Sequence, residues 1–460
     1  MEAKASPNRG RSPTSSPSAS SMTQIRMIVI SVTCAIVVSV VNNAIITKSL
    51  LSNDHWSSSG DRSYDTPQNN PETWKKLTKD QHINTFWWPS PEEYGGILGK
   101  IHDFQNPSDC SAASAKFFVW RSKSDNENDT RGLTAWAHAA SSHMLHALTD
   151  ADQPEAGHRI LINDDKLFPM AKGCEHGPET RECYFEPLTN CKLSDVDDYE
   201  TADPKSTKIK ILSKPDEEYD RSVRTLYTSD SIWFRKVKDM YSWTGLGFNS
   251  QHSTIHMTAA CLAYYFRVKP WLRKEIDERL RRNIPLDLNP QRTIGVPIRR
   301  SDKCHGHALE GSASGELECP PLEEYLKKVK EFLEFDPRIE NVIVTSEDKS
   351  ACEEFLEILN KELPSLRVIQ NIGDVQQGTG SGSKLEAYTE GSSNAQVVAS
   401  ALTSLHMHMR ARYFVLTSKS TWTSTIAVMA RVYGFASEVI VFDIGPNKNT
   451  FAHLARRGCA

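Results

Sequence analysis

The sequence lacks a strong net charge of either sign and lacks the glycine pattern of dinucleotide-binding proteins. Its formal net charge is −4 at pH 7, so no overall positive charge points to nucleic acid as a partner. No Gly-x-Gly-x-x-Gly motif follows a predicted strand, which argues against an NAD site. The 460 residues are enough for a membrane anchor, a stem and two globular lobes, because domains run to roughly 100–200 residues.

Large apolar side chains are almost absent from the first 25 residues, whereas residues 27–46 are nearly all apolar. A run of about 20 such residues can span a bilayer, and basic residues are more frequent before it than after it. We therefore expect a cytoplasmic tail over 1–26, a transmembrane anchor over 27–46 and a stem over 47–93. A cleaved signal peptide is the alternative, although no clear cleavage motif follows.

The cysteines fit a luminal location for the chain beyond the anchor. Nine of the ten follow residue 46, and an oxidising lumen favours disulfides. Cys174, Cys183 and Cys191 form one local group, although the sequence does not fix their pairing. The tripeptide that begins at Asn128 is a sequon for N-glycosylation, which is used only in luminal domains.

Residues 94–283 predict a first α/β lobe on the acceptor side. A strand over 116–120, a helix over 133–148 and a strand over 159–162 favour a parallel unit, and 173–230 reads as a disulfide-pinned insertion. The predicted helix carries three histidines, which we interpret as core or surface residues because no carboxylate or cysteine completes a metal site. They are His138, His143 and His146.

Residues 284–460 predict a second, Rossmann-like lobe that binds the donor. Apolar runs alternate regularly with amphipathic segments, which is typical of a parallel sheet joined by helices. The predicted strands are 293–298, 341–345, 367–369, 413–416 and 439–442. The predicted helices are 322–333, 349–359, 396–409 and 421–432.

The most informative stretch is Gly295–Lys303, where an apolar run leads directly into Arg299 and Arg300. Ligands of open α/β sheets bind beyond the carboxyl ends of the strands, so both arginines are expected near an anion. The alternative is a structural salt bridge or a solvated loop. Pro297 is unusual here, because proline cannot donate a hydrogen bond to a neighbouring strand.

The loop from Cys304 to Cys319 is rich in glycine and serine and is a candidate lid over the site. Its glutamates, Glu310, Glu316 and Glu318, include a candidate general base. A zinc site is conceivable, but we prefer a disulfide between the two cysteines because the compartment is oxidising.

Two further pairs follow predicted strands. Glu347 and Asp348 are positioned to orient Lys303 or Arg300, or to cap the next helix. Ser420 and Thr421 open a helix, where free amides form a phosphate site, or serve as an ordinary cap. Together with the arginine pair and the luminal setting, these residues indicate a nucleotide-sugar ligand.

The segments 294–303 and 321–325 resemble the first donor-binding motif of the α1,6-fucosyltransferases that modify the N-glycan core. Looser similarity to this family continues through 132–148, 183–191, 269–276, 345–348 and 413–420. The resemblance implies a two-lobed, GT-B-like inverting enzyme that uses GDP-fucose without a metal or other cofactor.

The resemblance also implies roles for individual residues. Arg299 would bind the diphosphate with support from Arg300, while Asp302 and Lys303 would organise the loop. Glu316 would deprotonate the acceptor hydroxyl, with Lys303 as a relay. The remaining donor-pocket positions are Tyr325, Asp348, His406, Ser420 and Thr421.

Two positions depart from the family, which recognises guanine through a histidine and an aspartate. Pro297 and Ser404 stand in their places, whereas His406 is retained. We expect a type II Golgi membrane enzyme with a luminal catalytic domain and a glycoprotein N-glycan as acceptor, and a homodimer is left open. The alternatives are a transferase of the same fold with another nucleotide sugar or acceptor, and a non-catalytic, membrane-anchored glycan-binding scaffold.

Overall fold

The computed structural model describes most of residues 96–444. The described residues are 96–110, 116–120, 133–149, 159–163, 168–192, 194, 209–211, 254–300, 320–372, 393–417, 420–436 and 438–444. The predicted tail, anchor and stem, the sequon at Asn128 and the loop over 301–319 lie outside them. Within the described ranges, no helix has the length and apolar character needed to cross a bilayer.

The chain alternates between strands and helices. The strands are β1 (Lys116–Trp120), β2 (Arg159–Asn163), β3 (Ile209–Ile211), β4 (Thr293–Ile298), β5 (Asn341–Ser346), β6 (Arg367–Gln370), β7 (Tyr413–Leu416) and β8 (Ile440–Asp443). The helices are α1 (Gly96–Gln105), α2 (Leu133–Thr149), α3 (Thr254–Tyr265), α4 (Pro270–Asn283), α5 (Leu322–Phe335), α6 (Lys349–Glu362), α7 (Asn394–His408) and α8 (Thr421–Tyr433). Short 3₁₀ turns occur at Pro169–Ala171, Arg181–Cys183 and Pro290–Arg292.

The strands form two parallel sheets, which confirms the predicted α/β class. The first has the order β2-β1-β3 and the second the order β6-β5-β4-β7-β8. Strands β4 and β5 are buried along their whole length, as expected for the middle of a sheet covered on both faces. The predicted strands and helices of the second sheet agree with the structure to within three residues at each end.

Pro297 fits inside β4 because it lies on the side of the strand where pairing with β7 has ended. The carbonyl of Thr293 accepts a hydrogen bond from Arg412, just before β7, so alternate residues from Thr293 to Pro297 direct their backbone groups towards β7. Pairing between β4 and β7 extends only to Gly295, whereas pairing with β5 continues to Ile298. The missing N–H of Pro297 therefore faces β7, on the side of β4 where pairing ends at Gly295.

The two faces of the second sheet belong to different cores. Ile294, Val296 and Ile298 pack with α5 and α6 in one cluster. The opposite face joins a larger cluster that contains α7, α8 and the helices α1–α4. The side chain of Leu402 in this cluster is therefore part of the same core as Trp136 in α2. One continuous hydrophobic core therefore joins this face of the second sheet to the helices that pack near the first sheet.

Helix bounds follow from local sequence. Asp348 caps α6, and Ser393 with Gln396 forms a reciprocal capping box at the start of α7. Helix α5 follows Pro321 and carries two glutamates in its first turn, where negative charge suits the helix dipole. The starts of α5 and α6 were predicted correctly, whereas α7 begins two residues before its predicted start.

The predicted insertion contains the main surprises in the fold. Disulfides join Cys174 to Cys183 and Cys110 to Cys191, so the local cysteine group supplies one internal pair and one distant pair. The short strand β3 lies within this insertion and was not predicted, because three residues are too few for a periodic pattern. The boundary between the predicted lobes stays a prediction.

Candidate functional site

The candidate site lies at the carboxyl edge of the second sheet. The order β6-β5-β4-β7-β8 reverses between β4 and β7, and in open α/β sheets such a point is where ligands bind. Arg299 and Arg300 follow β4, and α8 begins shortly after β7 with Ser420 and Thr421. The structure therefore brings both predicted anion-binding pairs to one edge of the sheet, near the end of β4 that carries Pro297.

Glu347 holds the arginine pair in place. Its carboxylate forms an ion pair with the Arg299 guanidinium and accepts the backbone N–H of Arg300 at 2.8 Å. Both side chains of the ion pair are largely buried, with exposed fractions of 16% and 15%. The structural salt bridge that was the alternative prediction is therefore present between Arg299 and Glu347. In the described part of the chain, no carboxylate pairs with the guanidinium of Arg300.

Tyr325 lies beneath the arginine pair. Burial raises the pKa of its hydroxyl, the nearby Glu347 charge raises it further, and the neighbouring Arg299 backbone partly opposes both. The ring is fully buried and packs against Phe355 with centroids 6.1 Å apart. Tyr325 therefore supports the end of β4 as a neutral phenol from the side of α5.

The side chain of Asp348 caps the N-terminus of α6. Its carboxylate accepts hydrogen bonds from the Ala351 backbone N–H at 3.1 Å and from the Ser350 hydroxyl at 2.8 Å. Its side chain is buried, and these two contacts satisfy the ordinary requirements of a helix cap. The capping alternative therefore accounts for the contacts of Asp348.

The start of α8 differs from the starts of α6 and α7. Ser420 occupies the N-cap position but makes no side-chain hydrogen bond to the helix. Asp348 and Ser393 both cap their helices through their side chains. The ordinary cap that was the alternative to a phosphate site at Ser420 is therefore not formed by the serine side chain. The amides of the first turn of α8 lack this partner.

Helix α2 from the first sheet runs beside α8 in the same direction. The hydroxyls of Thr134 and Thr421 lie 3.3 Å apart, and the His138 Nε2 lies 2.6 Å from the Thr425 hydroxyl. Because each contact is displaced by four residues on both helices, the two N-termini point to the same side. Two partial positive charges therefore converge beside the carboxyl edge of the second sheet.

Helix α7 covers the other side of this edge. His408 Nε2 lies 2.8 Å from the Thr345 hydroxyl of β5, and Ser404 accepts a hydrogen bond from the Asn371 amide at 3.0 Å. These two α7 residues face the sheet. His406 is buried two residues from each of them, which places it on the opposite side of the helix. Ser404, rather than His406, thus lies towards the carboxyl edge.

Burial keeps His408 uncharged. It lowers the pKa of the imidazole to about 3. The ring also lies close to the backbone of β4, since a Cβ added at Gly295 would be 2.8 Å from His408 Nδ1. Glycine is therefore needed where α7 crosses β4.

Several predicted site residues lie outside the described ranges. These are Asp302, Lys303, Glu316, and the cysteines Cys304 and Cys319. Sequence reasoning missed Thr134 and His138 as neighbours of the α8 N-terminus, because about 290 residues separate the two helices in the chain. Their matched four-residue spacing was visible, but only the fold shows that the helices are adjacent. No group of three potential metal ligands occurs in the described residues.

Comparisons with known proteins give structural neighbours only. No family model matches the chain, and no curated protein matches it significantly. A mutant FUT1 of Arabidopsis thaliana in complex with GDP is 11% identical with a TM-score of 0.39, covering 81% of this chain and 80% of its own. The α1,6-fucosyltransferase NodZ soaked with GDP-fucose is 13% identical with a TM-score of 0.32, covering 69% and 93%. POFUT1 in complex with GDP is 10% identical with a TM-score of 0.27, covering 71% and 72%.

Proposed function

We propose that this chain is a glycosyltransferase that moves fucose from GDP-fucose to a GlcNAc of the N-glycan core with inversion at the anomeric carbon. The observation that carries the proposal is the arrangement at the carboxyl ends of the neighbouring strands β4 and β7. The arginine pair follows β4, and α8, whose N-cap serine makes no side-chain cap, begins shortly after β7. Both the guanidinium groups and the helix N-terminus favour an anion such as a diphosphate.

The parallel N-termini of α2 and α8 add to this attraction. Two helices with like ends side by side repel one another, and an anion at the shared end relieves that repulsion. A guanidinium has five N–H donors, so the contact between Arg299 and Glu347 is compatible with a phosphate on the same group. Glu347 then fixes the direction of the Arg299 side chain before a ligand arrives.

The proposed reaction is a direct displacement. The acceptor hydroxyl attacks the anomeric carbon of fucose, the bond to the GDP oxygen breaks, and the hydroxyl proton passes to a base. Arg299 stabilises the negative charge that develops on the leaving diphosphate. Glu316 as the base and Lys303 as its relay come from the family resemblance, and no metal is required by this scheme.

Recognition of the nucleobase is assigned to the edge between β4 and α7. Pro297 and Ser404 occupy the positions at which the resembling family reads guanine, and Ser404 is hydrogen-bonded to Asn371. A serine hydroxyl offers one donor and two acceptor sites, so it replaces the charge of an aspartate by a neutral contact. We therefore expect weaker selection for guanine than an aspartate would give.

The proposed location is the Golgi lumen, with residues 27–46 as a type II membrane anchor. The disulfides Cys110–Cys191 and Cys174–Cys183 support an oxidising compartment. A glycoprotein N-glycan as the acceptor rests on the family resemblance. Binding of the purified chain to N-glycans that differ in their terminal sugars tests this part separately from the donor.

The donor assignment is tested with purified full-length protein and a panel of GDP- and UDP-sugars. We expect transfer from GDP-fucose to a GlcNAc-terminated N-glycan, detected as GDP release and as a product one fucose heavier. Arg299→Ala should weaken GDP binding roughly 10- to 100-fold, because charge-assisted hydrogen bonds to phosphate are lost. Turnover of a UDP-sugar instead would refute the donor, and binding without any turnover would favour a scaffold.

The matched control is Arg292→Ala. Arg292 precedes the other end of β4 and forms an ion pair with Glu340 at 3.6 Å, as Arg299 does with Glu347. Removing Arg292 should leave GDP affinity unchanged, because it lies at the amino edge of the sheet. Equal losses in the two variants would show that the arginines act through stability alone. Glu316→Gln should lower turnover while GDP affinity stays the same.

A further inference from the structure

The contact between α2 and α8, here called the α2–α8 seam, consists of Thr134, His138, Thr421 and Thr425. His138 is buried, and its Nε2 lies 2.6 Å from the Thr425 hydroxyl. The same hydroxyl lies 2.6 Å from the carbonyl oxygen of Thr421, in the first turn of α8. The seam therefore links His138, on the helix that follows β1, to the first turn of α8 at the candidate site.

The direction of these hydrogen bonds follows from proton counting. The Thr425 hydroxyl has one proton, and the Thr421 carbonyl can only accept, so this proton belongs to the bond with the carbonyl. His138 Nε2 must then donate its own proton to the Thr425 oxygen. Burial lowers the pKa of His138 to about 4, and the nearby Thr421 backbone only partly opposes this, so the ring is neutral at pH 7.

The seam constrains the part of α8 that faces the proposed diphosphate. The Thr421 carbonyl receives the Thr425 hydroxyl, and the Thr421 hydroxyl contacts Thr134 of α2. Rotation or sliding of α8 against α2 would break the two contacts between the helices, His138 with Thr425 and Thr134 with Thr421, and unpaired buried polar groups are costly. The first turn of α8 is thus tied to α2 on the side of its backbone carbonyls.

We propose that His138 is a positioning residue for donor binding, which holds the N-termini of α2 and α8 in register so that both face one phosphate group. This inference rests on the proposed function, because it assigns the phosphate to the same site. His138 itself does not touch the donor. Its effect reaches the ligand through the Thr421 backbone and the amides of the first turn of α8.

The test uses Thr425→Val, His138→Leu and the double variant in the full-length protein. Thr425→Val keeps the side-chain shape and removes the hydroxyl. Each single variant should raise the Kd for GDP roughly five- to tenfold, the loss expected for one or two hydrogen bonds. The double variant should bind GDP no more weakly than either single variant, because each single substitution already removes the contact between His138 and Thr425. The KM for GDP-fucose should rise while kcat changes little, and His138→Gln should recover part of the affinity.

The matched control is Thr403→Val. Thr403 is also buried and also donates to the carbonyl four residues earlier, at 2.7 Å, but it belongs to α7 and is bonded to no histidine among the residues that the structure describes. The Thr403→Val variant should bind GDP with the same affinity as the unmodified protein. Unchanged GDP affinity in folded His138→Leu and Thr425→Val, or fully additive losses in the double variant, would overturn the inference.

Hydrogen exchange separates this inference from the proposed function. If the unmodified protein binds neither GDP nor GDP-fucose, the proposed function fails, and the seam is judged without ligand. His138→Leu should then accelerate amide exchange in the first two turns of α8 and leave α7 unchanged. Equal exchange of α8 in the two proteins would show that His138 does not position this helix.

Discussion

The buried histidine between α7 and the second sheet should make the protein sensitive to mild acid. His408 is fully buried, its Nε2 contacts the Thr345 hydroxyl, and its folded-state pKa of about 3 lies below the ordinary value of 6.5. Between these two values the unfolded chain binds a proton that the folded chain excludes. The stabilising effect of the neutral ring is therefore present above pH 6.5 and is lost as the pH falls.

The magnitude follows from the two pKa values. One proton taken up only by the unfolded state changes the free energy of unfolding by at most about 1.4 kcal/mol per pH unit. Integrated from pH 7 to pH 5, the contribution of His408 is about 2 kcal/mol. His408→Gln retains a hydrogen-bonding side chain and removes this titration. The variant should therefore lose about 2 kcal/mol less stability over the same pH interval.

Urea unfolding at pH 7 and pH 5 measures this difference through the change in midpoint multiplied by the slope. Thr345→Val is the control, because it deletes the same hydrogen bond but leaves the imidazole buried. That variant should keep the full pH dependence of the unmodified protein. If His408→Gln and the unmodified protein lose equal stability on acidification, the imidazole is not held neutral by burial.

Three further predictions concern stability. Gly295→Ala places a methyl group 2.8 Å from two core rings and should lower the free energy of unfolding, measured in urea, by about 1–3 kcal/mol; an unchanged value would show that α7 can shift. Asp336 has a pKa well below its usual range, chiefly through hydrogen bonds from Arg338, so it contributes stability above its unfolded pKa that is lost on acidification. Asp336→Asn should reduce the stability lost below pH 4, and identical acid titrations would contradict this. Replacing Cys110 and Cys191 by serine opens an 81-residue separation and should lower thermal stability by about 2–5 kcal/mol, whereas an equal Tm would show that the disulfide is dispensable.

Local pattern was enough to predict most of the second sheet. Strands β4 and β7 have the predicted bounds, because short apolar runs between turn signals admit few other assignments. The starts of α6 and α8 follow from their capping positions. The short strand β3 was missed, since pairing with β1 rather than its own periodicity defines it.

The candidate site was predictable only in part. The position of Arg299 and Arg300 after a strand pointed to the carboxyl edge, and the structure places them there. The partner of Arg299 was not predictable, because Glu347 lies 48 residues further along the chain and the sequence offered it two other roles. Asp348, beside it, takes the capping role instead.

The sequence by itself determined which residues form strands, which open helices, and that two arginines end the central strand. These properties depend on hydrophobic periodicity and on backbone preferences over a few residues. Only the tertiary structure decided that β7 lies beside β4, that their pairing ends before Pro297, and that α2 meets the start of α8. Such contacts join residues far apart in the chain, and their geometry depends on how the helices pack over the sheets.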